Sequence, residues 1–124
     1  MNAVAAIDKT EHTTYVEPYG CSVAVLMSKK LSPVEVFNDV RSDVVNFFRA
    51  LRANDLERAR SFFPDAQVED MCQRLRTVQI EHLDPFEVMR RYDSIKTLHY
   101  VDPPNKDAAL LEFLKTLKGK VVLK

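Results

Sequence analysis

The sequence predicts an α/β domain in three layers, a mainly parallel sheet between helices. Three observations carry that expectation. Short β-branched or aromatic runs alternate five times with stretches of helical apolar spacing, the pattern of a doubly wound sheet. The chain has 124 residues, 46% apolar and 29% charged, which suits one globular domain with a sizeable core. Glycine occurs only twice, at Gly20 and Gly119, so long flexible linkers are excluded.

Residues 1–12 show little periodicity and are expected to form a loose N-terminal arm; 13–124 form the single domain. Thr13 to Glu17 is β-branched and aromatic, a first strand stopped by Pro18. Tyr19-Gly20-Cys21 turns the chain, and Ser22 can cap a helix over 22–30. After the break at Ser32-Pro33, Val34, Val36 and Phe37 mark a second strand ending at Asn38-Asp39. Val44, Val45, Phe48 and Leu51 repeat at helical spacing within Ser42 to Ala53. Asn54-Asp55 stops that helix, and Leu56, Ala59, Phe62 and Phe63 form a further stripe ended by Pro64. Val68, Met71, Cys72 and Leu75 predict a helix over 65–76.

Val78 and Ile80 alternate with polar residues as a third strand. Asp84-Pro85 offers an N-cap acceptor followed by proline at the first helical position, and Phe86, Met89 and Tyr92 are expected on that helix's buried face. Asp93-Ser94 is a turn, Leu98 to Val101 a fourth strand, and Pro103-Pro104 its end. Leu110, Leu111, Leu114 and Leu117 predict a last helix closed by Gly119 at C′, before a buried fifth strand, Val121 to Leu123.

Eighteen basic residues balance eighteen acidic ones, which argues against a strongly basic nucleic-acid binder and against an acidic mimic of DNA. Cys21 and Cys72 lie far apart, so neither a disulfide framework nor a structural zinc site is expected, and Cys21 reads as a small packed residue. His12, His82 and His99 form no ligand pattern, so no metal is expected. No apolar run nears the roughly 18 residues of a membrane span, and the N-terminus lacks a secretory pattern. The expected compartment is the cytoplasm.

In doubly wound sheets ligands bind at the carboxyl ends of the strands. Here those ends carry Glu17-Pro18, Asn38-Asp39, Glu81 to Asp84 and Asp102-Pro103-Pro104, a concentration of carboxylates.

Four segments, in order, resemble the Dam-type adenine-N6 DNA methyltransferases: YVEPYG (15–20), VEVFNDV (34–40) running into DVVNFFRALR (43–52), RRYDSIKTLHYVDPPN (90–105) and LLEFLKTLKGKVVL (110–123). The resemblance implies a Rossmann-like methyltransferase core with strand order 3-2-1-4-5, and S-adenosylmethionine as cofactor. It implies cofactor-binding roles for Glu17, Pro18 and Gly20 after the first strand, for Asp39 on the ribose, and for Asp84 on the adenine. It places the catalytic loop at Asp102, Pro103, Pro104 and Asn105. A flipped adenine needs hydrogen bonds to its edge and an aromatic face; Asn105 stands where the family has the aromatic. Cys21 and Ser22 put side chains into the family's small-residue turn.

The sequence also departs from the family in its extent. No Gly-Gly-Lys segment precedes the first strand. Only Ala53 to Arg76 lies where the family inserts its target-recognition segment, and the chain stops at the fifth strand. The expectation is a truncated, degenerate methyltransferase-like protein with cofactor binding weak or lost, without efficient catalysis, and with weak or no binding of duplex DNA alone. It would act on a protein partner or nucleoprotein complex, for instance as a phage-encoded inhibitor of a host defence system such as CRISPR or restriction. The alternatives are a minimal S-adenosylmethionine-dependent adenine methyltransferase, active alone or with a partner chain, and a bare cofactor-binding module. Each singled-out residue also has a structural reading. Asp84 can be an N-cap, Asp39 can face a helix dipole, and Glu17 can be a solvated turn residue. Arg74, Arg76, Arg90 and Arg91 can line solvated helix faces. The pairs Phe47-Phe48 and Phe62-Phe63 read as core with one ring of each not wholly inward.

Overall fold

A computed structural model describes residues 2–20, 23–53 and 63–124. Its strands are β1 (Thr14–Glu17), β2 (Val34–Asn38), β3 (Val78–Glu81), β4 (Thr97–Val101) and β5 (Lys120–Leu123). They form one five-stranded sheet in the order β3-β2-β1-β4-β5, and every pairing is parallel. β1 lies at the centre: Val16 pairs with Val36 on one side and His99 on the other. A parallel strand covered on both faces needs apolar residues without strict alternation, and β4 is buried along its whole length.

The helices are α1 (Ala3–Lys9), α2 (Ala24–Ser28), α3 (Ser42–Arg52), α4 (Asp65–Leu75), α5 (Pro85–Tyr92) and α6 (Ala108–Leu114). Ile7, Leu26, Phe48 and Met71, one from each of α1 to α4, share a core with Tyr15, Phe37 and Leu98 of the sheet. Val88 of α5 packs on the other face against Val16 and Val36, and Leu110 of α6 joins Met89 and Val101. The arrangement is the expected α/β, Rossmann-like one.

Helix boundaries follow local chemistry. The Asp84 carboxylate accepts from the N–H groups of Phe86 and Glu87 at 3.0 and 3.3 Å, ahead of Pro85 at the first helical position. Asp107 does the same for α6 through the Leu110 N–H at 2.9 Å. Each cap contributes about 1 kcal/mol. Phe48 points inward, edge-on to Phe37 with centroids 5.2 Å apart, while Phe47 is half-buried against Phe63. The expected stop at Asn54-Asp55, the stripe through Leu56, Ala59 and Phe62, and the positions Cys21 and Ser22 lie outside the described residues.

Several expectations are corrected. Residues 1–12 are not a loose arm: α1 forms over Ala3–Lys9, Asn2 caps it, and Ile7 is fully buried in the main core. One buried isoleucine in seven residues is too little periodicity to show in the sequence. On α5 the fully buried pair is Val88 and Met89, with Phe86 and Tyr92 half-buried. Leu111 of α6 is exposed. β5 is a half-exposed edge strand, not a buried one, because β4 alone flanks it. Arg74 does not line a solvated face; it forms an ion pair with the buried Glu35. Arg90 and Arg91 do stay in solvent, near Glu87.

Gly119 is not the C′ residue of α6, which ends at Leu114 with Lys115 as its C-cap. It marks the entry to β5. The Asp93 carboxylate accepts from the N–H groups of Lys118 and Gly119 at 2.8 and 2.9 Å, and also bonds His99 Nε2 at 3.1 Å. A Cβ at Gly119 would stand 2.5 Å from the Thr97 carbonyl oxygen and 2.9 Å from that of Ser94. Both neighbours are backbone, so the strand entry itself has to move. Gly119→Ala is expected to destabilise the protein by about 1–3 kcal/mol. Urea unfolding measures it; a variant within about 0.5 kcal/mol of wild type would show that this junction relaxes freely.

Candidate functional site

The chain leaves β1 toward β2 on one side, and crosses from β3 to β4 on the other. Loops diverge at that reversal, above the carboxyl ends of β1 and β4, which is where such sheets open a crevice. A cleft of about 650 Å³ lies there, lined by Pro18 and Tyr19 after β1, Asp39, Val40 and Arg41 after β2, and Asp102, Pro103 and Pro104 after β4. The structure thus brings together five of the residues singled out in the sequence: Pro18, Asp39, Asp102, Pro103 and Pro104. Tyr19, Val40 and Arg41 join them unforeseen.

The other singled-out residues stand apart from that lining. Gly20 is buried, and its reason is packing: an added Cβ would meet Phe37 Cζ at 2.5 Å and the Asn38 carbonyl oxygen at 2.7 Å. Asp84 is exposed and caps α5, with its charge close enough to act on Tyr19. Burial first, then Asp84 and Asp107, pushes the Tyr19 phenol above its ordinary range. Asn105 is exposed beyond the two prolines.

Asn38 shapes the cleft from below. It is fully buried, its Nδ2 donates to the carbonyls of Pro18 and Leu83 at 3.0 Å each, and its Oδ1 accepts from the Leu83 N–H at 2.8 Å. Its own carbonyl accepts from the Gly20 N–H at 2.7 Å. The ends of β1, β2 and β3 are therefore tied through one side chain. The sequence signal was an amide closing an apolar strand, which also reads as a turn residue.

The carboxylates differ in state. Asp102 is partly exposed, with Lys124 Nζ 3.9 Å away. Asp39 is buried and bonded to Arg41 through both oxygens. Glu17, 1% exposed, is not a solvated turn residue. Tyr15 donates its hydroxyl to Glu17 Oε1 at 2.5 Å. Burial pushes the Glu17 carboxyl up to about 8, against the Tyr15 hydrogen bond and the Lys29 charge, with Asp102 and Glu35 adding to the rise. The Lys29 ammonium sits 4.3 Å from the Tyr15 ring centroid and pairs with Glu35, which Arg74 also holds at 2.5 and 2.7 Å. Burial pushes Glu35 upward, but the hydrogen bonds from Arg74 and Lys29 outweigh it and hold the carboxyl below its usual range.

Among the described residues no three His, Cys, Asp or Glu side chains come together as a metal would require, and no helix is long and apolar enough to cross a membrane. No protein-family model matches the chain, and no curated protein sequence matches it.

Glu17 makes stability depend on pH. The folded protein keeps its proton up to about pH 8, whereas the unfolded chain sheds it near 4.5. Between those values the folded state binds more protons, so this group's contribution is complete below about 4.5 and is lost as pH rises through about 8. Glu17→Gln keeps an acceptor for Tyr15 and cannot ionise. It is expected to gain stability over wild type between pH 5 and pH 8, by on the order of a few kcal/mol. Paired urea melts at the two pH values check this, and His99, whose titration runs the opposite way, cancels because both proteins carry it. An unchanged difference between the proteins would show that Glu17 ionises freely in the fold.

Proposed function

We propose that this chain is a methyltransferase-like binding protein that takes the adenosine end of S-adenosylmethionine weakly in the cleft and does not methylate duplex DNA efficiently. The observation that carries the reading is the placement of Asp102-Pro103-Pro104 opposite Pro18-Tyr19 and Asp39, in one cleft at the carboxyl ends of β4, β1 and β2. Three of the four segments by which the sequence resembles adenine-N6 methyltransferases thus lie side by side. Tyr19 gives the cleft an aromatic wall, and Asp39 a buried carboxylate near the start of α3.

The same geometry argues against efficient catalysis. An extruded adenine is recovered by stacking worth roughly 1–3 kcal/mol per base, and Asn105 supplies no ring. Asp102 stands partly in solvent, so water competes for its hydrogen bonds with any amine it would hold. Charge is balanced over the chain, which leaves little to draw a duplex in. Function through a protein or nucleoprotein partner fits a core of this kind better than turnover.

The expected dissociation constant for S-adenosylmethionine is weaker than about 10 μM, less than about 7 kcal/mol of binding. Calorimetric titration measures it. Methyl transfer from labelled S-adenosylmethionine to unmethylated duplex DNA is expected to stay at background for wild type and for Asn105→Tyr alike. Turnover by wild type that disappears in Asp102→Ala would establish an enzyme instead, and rescue by Asn105→Tyr alone would make the missing ring the sole defect.

A further inference from the structure

In doubly wound folds the acidic residue at the end of the second strand accepts hydrogen bonds from ribose hydroxyls. Asp39 holds that position, but Arg41 already bonds both of its oxygens. Oδ1 accepts from the Arg41 backbone N–H at 2.9 Å and from Arg41 Nε at 3.2 Å, and Oδ2 accepts from Arg41 Nη2 at 3.4 Å. The Asp39 side chain is 5% exposed and that of Arg41 is 50% exposed, and both residues line the cleft. A ribose arriving at Asp39 must displace a charge-assisted, two-pronged partner rather than water.

We infer that Arg41 is a specificity-determining residue of this cleft: its guanidinium competes with ribose hydroxyls for Asp39 and holds down affinity for adenosine-type ligands. The inference rests on the nucleoside reading of the cleft given above. The backbone N–H bond from residue 41 to Asp39 does not need the Arg41 side chain, so the carboxylate stays aimed in Arg41→Ala and Arg41→Gln. Removing the guanidinium takes a cation from a buried carboxylate, which costs stability, so a urea melt of each variant is read beside its titration.

The test is calorimetric titration with S-adenosylhomocysteine, which has the adenosine end without the sulfonium charge. Wild type, Arg41→Ala, Arg41→Gln and the double variant Asp39→Asn/Arg41→Ala are compared at about 50 mM and about 500 mM salt. Both single variants are expected to bind roughly three- to tenfold more tightly than wild type at low salt. The gap narrows at high salt, because screening loosens the ion pair in wild type, and the double variant loses the gain. Equal or weaker binding by Arg41→Ala and Arg41→Gln, with wild type still binding, would overturn this inference alone and make Arg41 a ligand contact. Absence of binding by every variant at millimolar ligand would overturn the nucleoside reading and this inference together.

Discussion

The cleft depends on one buried amide. Asn38 closes β2, and its side chain bonds the backbone beyond β1 and beyond β3 at once. Each buried backbone group that it satisfies would otherwise carry a desolvation cost of about 1–3 kcal/mol. Because the amide has both donors and an acceptor, it can hold two carbonyls and one N–H, which neither an aspartate nor a leucine of similar size could do. The loop after β1 is thereby fixed in height, Gly20 is drawn under Phe37, and Tyr19 is presented to the cleft.

A second buried system sits further back in the same layer. Glu35, in the β2 position paired with Tyr15, is held by Lys29 from the segment after α2 and by Arg74 from α4. A buried carboxylate with two cations is not a source of net stability, since desolvation offsets much of the attraction, but losing one partner leaves an uncompensated charge. The cluster therefore constrains where α4 can lie against the sheet. At the outer strand β3, Arg49 and Arg52 of α3 donate to the carbonyls of Ile80 and Val78 at 2.8 Å each. Such bonds cover backbone that an edge strand otherwise leaves open to pairing with another chain.

The strands and the main helices were legible because β-branched runs and helical apolar spacing carry their own period, whereas the strand order came only with the family resemblance. Val44, Val45, Phe48 and Leu51 announce α3 without any partner. The N-cap at Asp84 was legible because its chemistry is local. The polar core was not. Glu35 between Val34 and Val36 signals only that a buried charge needs a partner; Arg74 lies 39 residues away, and nothing in its neighbours distinguishes it from Arg76. The role of Gly119 is not legible, because a glycine after a leucine-rich helix looks the same whether it ends the helix or admits the next strand. At the site, residues tied to strand ends, such as Pro18, Asp39 and Asp102, were legible from topology. Arg41 was not, since its place depends on the turn that Asp39 itself makes.

The carboxylates at the strand ends show why composition is a poor guide to a site's potential. Glu17, Asp39 and Asp102 lie at adjacent strand ends, and taken from the sequence they suggest an acidic mouth. Burial gives each a different fate. Glu17, beneath the surface against Tyr15, is held protonated at neutral pH. Asp39, at the wall, is covered by a cation from its own loop. Asp102, at the rim, faces solvent with Lys124 in range. Two of these three charges are cancelled within the protein before any ligand arrives, one by a proton and one by an arginine. A cation at the cleft therefore meets far less attraction than three carboxylates would exert, and what the lining leaves open is the ring of Tyr19, three prolines and the rim carboxylate of Asp102.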